Sequence, residues 1–134
     1  MIELSNTTAQ TLAPGQALTF DTVLLNTGCG ECHRTNSGIV TLRKIGIYEV
    51  HFSANISGTA AGQGELVIEL DGEPLPETLM TNAIGTAGDL ENAATATLVR
   101  TCCGSCGRLS VVNPSTTEST LVGANPAFYV KRVA

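Results

Sequence analysis

The sequence predicts an all-β domain: a sandwich, barrel or jelly roll. Two observations carry this. Gly46 to Gly58 alternates strictly between two residue classes, and short apolar runs recur elsewhere, separated by turn residues, with no stretch of helical period. Abundant threonine agrees, because β-branched residues suit strands better than helices. The 134 residues suit one domain and leave little room for a second. Apolar residues make up 43% and charged residues 14%, so a packed core is expected rather than a disordered chain. Aromatics are only 4% and Trp is absent, so that core must rest on Val, Ile, Leu, Ala and Thr.

Met1 to Gln16 is polar and ends in Pro14-Gly15, so residues 1–16 read as an N-terminal arm or connector and residues 17–134 as the domain. Ala17 to Asn26 begins with Leu18, Phe20 and Thr22 on one side and is broken by Gly28-Cys29-Gly30. Ser37 to Lys44 is a second short strand. In Gly46 to Gly58, Tyr48, Val50, Phe52, Ala54 and Ile56 share one face, and Ile47, Glu49, His51, Ser53 and Asn55 share the other. That period of two marks a half-buried strand with the first set in the core. Glu65 to Leu70 repeats the pattern and runs into Asp71-Gly72, a tight-turn dipeptide. Pro74 and Pro76 limit the next segment to an edge strand or loop, and Thr81 to Glu91 reads as a loop. Ala94 to Thr101 and Arg108 to Asn113 look like the two strands of a hairpin around Cys102 to Gly107. Thr116 to Val122 and Ala127 to Val133 complete the set.

Composition removes several functions. Seven basic against twelve acidic residues, a net charge of −5, leave no positive stripe for a phosphate backbone, which argues against a nucleic-acid partner. No apolar run approaches the roughly 18 residues of a membrane helix, so no membrane partner is expected. MIELSNTTAQ has neither a basic n-region nor an apolar h-region, so no classical signal peptide is expected.

The five cysteines are an odd number, which rules out complete pairing within one chain. Cys29-Gly30-Glu31-Cys32-His33 and Cys103-Gly104-Ser105-Cys106 are two C-x-x-C units, and Cys102 adjoins the second. Three readings stay open. Two such units can supply four thiolates to zinc, with His33 able to replace one, if both loops meet at one end of the fold. The thiols can form disulfides within a loop or between subunits. They can also be plain free thiols filling space. A thioredoxin-like redox role lacks the helix that lowers the first thiol's pKa. Zinc is therefore the one cofactor entertained, and none is required.

Other candidate chemistry is weaker. His51 sits on the strand face opposite Tyr48 and Phe52 and reads as a solvated or interface histidine rather than a catalytic base. Asp21, Asp71 and Asp89 have no matching Ser–His arrangement. Gly58 to Gly64 lacks the Lys and the following helix of a phosphate loop. Glu69, Asp71, Glu73 and Glu77 straddle a turn, a solvated cluster before it is a weak calcium site. With no acid, base and nucleophile set, an enzyme is not expected.

The strand Gly46-Ile47-Tyr48-Glu49-Val50-His51-Phe52 resembles the Gly-x-Tyr-x-Phe-x-Phe/Tyr stretch of the globular heads of complement component one-q, which share a jelly roll with the tumour-necrosis-factor superfamily. Phe20 and Asn26, five residues between them, match that family's opening pattern. Ser37 to Leu42 sits where the family has its next strand, and Phe128 and Tyr129 give the usual aromatic last strand. The ending is most similar to bacterial and bacteriophage members, which cap collagen-like fibres or spore-surface filaments or sit on virions. The resemblance implies a jelly-roll sandwich of about eight to ten antiparallel strands, closing into a compact homotrimer. Phe128, Tyr129 and Val130 of the last strand are then candidates for the trimer seam. It further implies a non-enzymatic structural protein on the exterior of a bacteriophage virion, a head-decoration or fibre-head protein. Residues 1–16 would then hook onto capsid or fibre subunits. The alternative is an adhesive head on a bacterial spore surface or collagen-like filament that binds a host glycan or receptor.

Overall fold

The computed structural model describes residues 1–27, 31–58, 64–82, 89–101 and 107–134. In chain order the strands are β1 (Ile2–Ser5), β2 (Gln10–Leu12), β3 (Thr22–Asn26), β4 (Glu31–His33), β5 (Val40–Leu42), β6 (Gly46–Gly58) and β7 (Gly64–Leu70). They continue as β8 (Glu73–Pro74), β9 (Met80–Asn82), β10 (Glu91–Thr101), β11 (Gly107–Val112), β12 (Thr120–Val122) and β13 (Ala127–Arg132). One 3₁₀ turn, Pro76–Thr78, is the only helical element among the described residues. Two antiparallel sheets result, one of seven strands and one of six.

The 13-residue β6 organises the seven-stranded sheet. One edge pairs with β10 along Gly46 to Ile56. The other edge pairs first with β13 and then, past a break at Gly123, with β12. Beyond β13 lie β1 and β3, and beyond β12 lies β2. The six-stranded sheet runs β4-β5-β11-β7-β8, with β9 also on β7. Both sheets turn alternate side chains inward, so one core forms between them. Tyr48, Val50, Phe52, Ala54 and Ile56 from β6 face Leu42, Leu66, Ile68, Leu109 and Val111 in that core. Phe128 joins its aromatic centre, stacked on Phe20 with centroids 5.4 Å apart and edge-on to Phe52 at 6.0 Å.

Two strands within residues 1–16 are built into this core, which corrects the reading of the whole segment as an arm. β1 pairs with both β13 and β3, β2 pairs with β12, and Ile2, Leu4 and Leu12 are fully buried. The polar residues that suggested a solvated arm are instead satisfied by the domain. The Gln10 amide brackets Thr19, with Nε2 donating to the Thr19 carbonyl at 2.7 Å. Buried Asn113 donates from Nδ2 to the Leu12 carbonyl at 3.0 Å. Asp21 accepts from the hydroxyls of Thr22 and Thr7, both at 2.7 Å, and these bonds hold its exposed carboxyl below its ordinary pKa.

The hairpin expected around Cys102 to Gly107 is also corrected. β10 belongs to the seven-stranded sheet and β11 to the six-stranded one, so this connection crosses the sandwich. Leu18 and Phe20 are buried but lie outside any strand: the Leu18 N–H donates to the Val111 carbonyl at 2.8 Å and the Phe20 N–H to the Ser37 carbonyl at 3.2 Å. Asp71-Gly72 forms the tight turn between β7 and β8, both residues at positive φ (54° and 83°), as a primed hairpin turn requires.

The sheets are joined where β7 leaves the end of β6. Thr120 of β12 receives the Glu65 N–H at 2.9 Å and donates back to the Glu65 carbonyl at 3.0 Å. A Cβ on Gly64 would stand 2.5 Å from the Ser57 carbonyl oxygen and 2.6 Å from its carbon, both backbone atoms. Gly64→Ala is therefore expected to force the strands apart and destabilise the domain by about 1–3 kcal/mol, read as a lower denaturation midpoint. An unchanged midpoint would show that this corner is looser than the packing implies.

Candidate functional site

The outward face of the seven-stranded sheet is the site that the fold assembles most clearly. Cross-strand register places side chains in rows. Tyr129, His51 and Ala96 form one row across β13, β6 and β10, extended over Glu3 to Leu25 by β1 and β3. Ala127, Ser53 and Ala94 form the row on one side, and Lys131, Glu49 and Leu98 the row on the other. The inward partners of these residues fill the core, so the outward set is free to meet another molecule.

Along β10 the outward residues are Asn92, Ala94, Ala96, Leu98 and Arg100. His51, Ser53, Ala94, Ala96, Ala127 and Tyr129 line a depression of about 420 Å³. His51 meets Tyr129 edge-on, ring centroids 5.5 Å apart, and its Nε2 lies 2.5 Å from Glu49 Oε1. Around this centre Leu98 is 64% exposed, Leu25 36% and Ile47 36%. Exposed Leu98, Leu25 and Ile47 grouped around Tyr129 on one sheet face mark it as a candidate contact surface. Nothing in this set has the mutual geometry of a nucleophile, base and orienting group.

Of the last-strand seam candidates, Phe128 and Val130 are fully buried within one chain, so their side chains lie in the monomer core, a correction to their seam reading. Tyr129 alone faces outward. The alternation of Ala127 to Arg132 carries that distinction, because two residues flanking a third on a strand must share its opposite face. The sequence signal for the surface itself was Ala94 and Ala96 in β10, small residues at outward positions.

The cysteine motifs are only partly within view. Cys32 lies in β4, partly buried and with a free thiol. His33 beside it turns the other way: its Nε2 lies 2.8 Å from the Ser37 carbonyl oxygen, its ring is edge-on to Phe20, and its buried Nδ1 has no partner. Next to Cys32 on its other side, Glu31, nearly inaccessible, accepts the Arg132 backbone N–H at 3.1 Å and lies 2.9 Å from the Met1 nitrogen. Adjacent strand residues point apart, so Cys32 and His33 do not converge on one metal position. Cys29, Cys102, Cys103 and Cys106 lie outside the described residues. Among the described residues no three His, Cys, Asp or Glu side chains cluster as a metal site, and no helix is long and apolar enough to cross a membrane.

No protein-family model matches the chain, and no curated protein is significantly similar to it in sequence. Solved structures do match in fold. The globular domain of zebrafish complement 1qA superposes with a TM-score of 0.73 at 11% identity, over 99% of this chain and 96% of that one. Eiger, a tumour-necrosis-factor protein of S. frugiperda, gives 0.77 at 10% identity, over 99% and 91%. Vertex protein P5 of PRD1 gives 0.61 at 13% identity, over 99% and 96%. The chain thus has the jelly roll of complement and tumour-necrosis-factor domains, as the strand from Gly46 to Phe52 suggested.

Proposed function

We propose that the protein is a non-enzymatic structural protein that closes into a homotrimer through the outward face of its seven-stranded sheet. We further propose that it stands on the exterior of a bacteriophage virion as a head-decoration or fibre-head protein. The observation that carries the assembly is the row Leu25, Glu3, Tyr129, His51 and Ala96 beside exposed Leu98: a face on which exposed leucines and small alanines lie among Glu3, His51 and Glu49, and which one chain leaves uncovered. Covering it removes apolar area from water at about 25 cal/mol per Å². Similarity in fold to a viral vertex protein supports the virion reading. Within residues 1–16, Ile2, Leu4 and Leu12 are committed to the core, whereas residues 7–9 and 13–16 stay exposed and are the part of that segment left to meet capsid or fibre subunits. The second reading, a glycan- or receptor-binding head, is favoured by a separate cleft on the other sheet.

Immunogold labelling of intact particles with antibody to the folded protein tests the location. Label on particle exteriors is expected. Antigen confined to the soluble fraction, with bare particles, would overturn the virion reading and leave the trimer to be judged separately.

A further inference from the structure

We propose that the outer face of the six-stranded sheet binds an anionic saccharide, through a carboxylate or sulfate group held by Arg34, Arg43 and Arg108. This deepens the surface-head reading, on which its biological setting rests, but the site is built by one chain and does not need the trimer.

Register makes the site. Cys32 pairs with Thr41, and Thr41 with Arg108, so these three form an outward row across β4, β5 and β11 over buried Val40, Leu42 and Leu109. Arg34 and Arg43, just beyond β4 and β5, close the row into a cleft of about 490 Å³ with Ser37 on its rim. Three of the chain's seven basic residues therefore surround one depression in a protein of net charge −5. No Asp or Glu lines it, and none of the three guanidinium groups forms an ion pair among the described residues. A neighbouring carboxylate, Asp71, lines an adjoining cleft shared through Ile39 and Arg108, and it already accepts the Arg108 backbone N–H at 2.9 Å.

Three exposed arginines lining one cleft give it a positive potential that an anion entering it would lower. Their planar forks match the two oxygens of a carboxylate or sulfate. The hydroxyls of Thr41 and Ser37 suit a hydroxylated ligand. Among the described residues the lining offers no ring to stack a base, since His33 turns its imidazole onto Phe20, and the overall negative charge opposes a long phosphate backbone, which favours a saccharide over nucleic acid.

The test is titration of the intact protein at low salt with three oligosaccharides of matched length: an oligogalacturonate, a sulfated oligosaccharide and a neutral one. One or both anionic probes are expected to bind and the neutral one not to; which anionic probe binds identifies the group. Arg43→Ala and Arg108→Ala are each expected to weaken binding at least tenfold with unchanged melting. Arg108→Lys should recover only part, because it keeps the charge and loses the fork. Arg100→Gln, which removes one charge on the opposite sheet, should bind as the parent does. Equal binding of the neutral probe, no binding by either anion, or equal weakening by Arg100→Gln would overturn the proposal. Particle labelling is unaffected by any of these results, so the two readings fail separately.

Discussion

Phe128→Ala is expected to cost about 3–5 kcal/mol, the range for emptying a buried aromatic position. Phe128 has no exposed surface, stacks on Phe20 and meets Phe52 edge-on, so truncation removes both ring contacts and leaves a void between the sheets. Few residues can refill it, because the chain has three Phe, two Tyr and no Trp. Domains of this size are stable by about 5–15 kcal/mol, so the loss approaches the whole margin. Chemical denaturation followed by circular dichroism measures it. The same substitution at Tyr129, outward on the next position, should leave the isolated domain's stability within about 0.5 kcal/mol. If the two variants melted alike, the assignment of inward and outward faces on β13 would be wrong.

Leu98→Glu is the second large effect, and it acts on assembly rather than folding. Leu98 is 64% exposed in the single chain and stands opposite Glu49 across β10 and β6. A carboxylate there places two negative charges side by side on the face proposed to be buried. An uncompensated charge taken from water costs several kcal/mol, and three copies meet in one trimer, so dissociation to single chains at micromolar concentration is expected. The monomer itself should fold normally, because an exposed position changes little. Ile39→Glu, at 43% exposure on the outer side of the six-stranded sheet, controls for added charge away from those rows and should assemble as the parent does. Assembly unchanged by Leu98→Glu would show that the chains meet through another surface.

The fold was legible where one strand carried enough residues to show its period. β6 alternates over 13 residues because it is half-buried and paired on both edges, so its core face could be read directly. Sheet membership was not legible. β10 and β11 alternate equally well, and only long-range pairing, Thr97 with Val50 and Val111 with Ile68, sends them to opposite sheets. Residues 1–16 were misread because their apolar side chains are few and their polar ones are satisfied by distant partners, as Gln10 is by Thr19. The outward face was partly legible. His51 and Tyr129 were singled out, but their meeting in one row with Ala96 depends on pairing between strands far apart in sequence. The arginine cleft was invisible for the same reason, since Arg34, Arg43 and Arg108 look like ordinary surface charges until three strands bring them together.

Native mass measurement of the unmodified protein, with and without reductant, tests the assembly most directly. A particle of three times the 13.8 kDa chain mass in both conditions is the expected result, since the contact proposed is a sheet face and not a covalent link. A single-chain mass at micromolar concentration, or a multiple that vanishes on reduction, would contradict it.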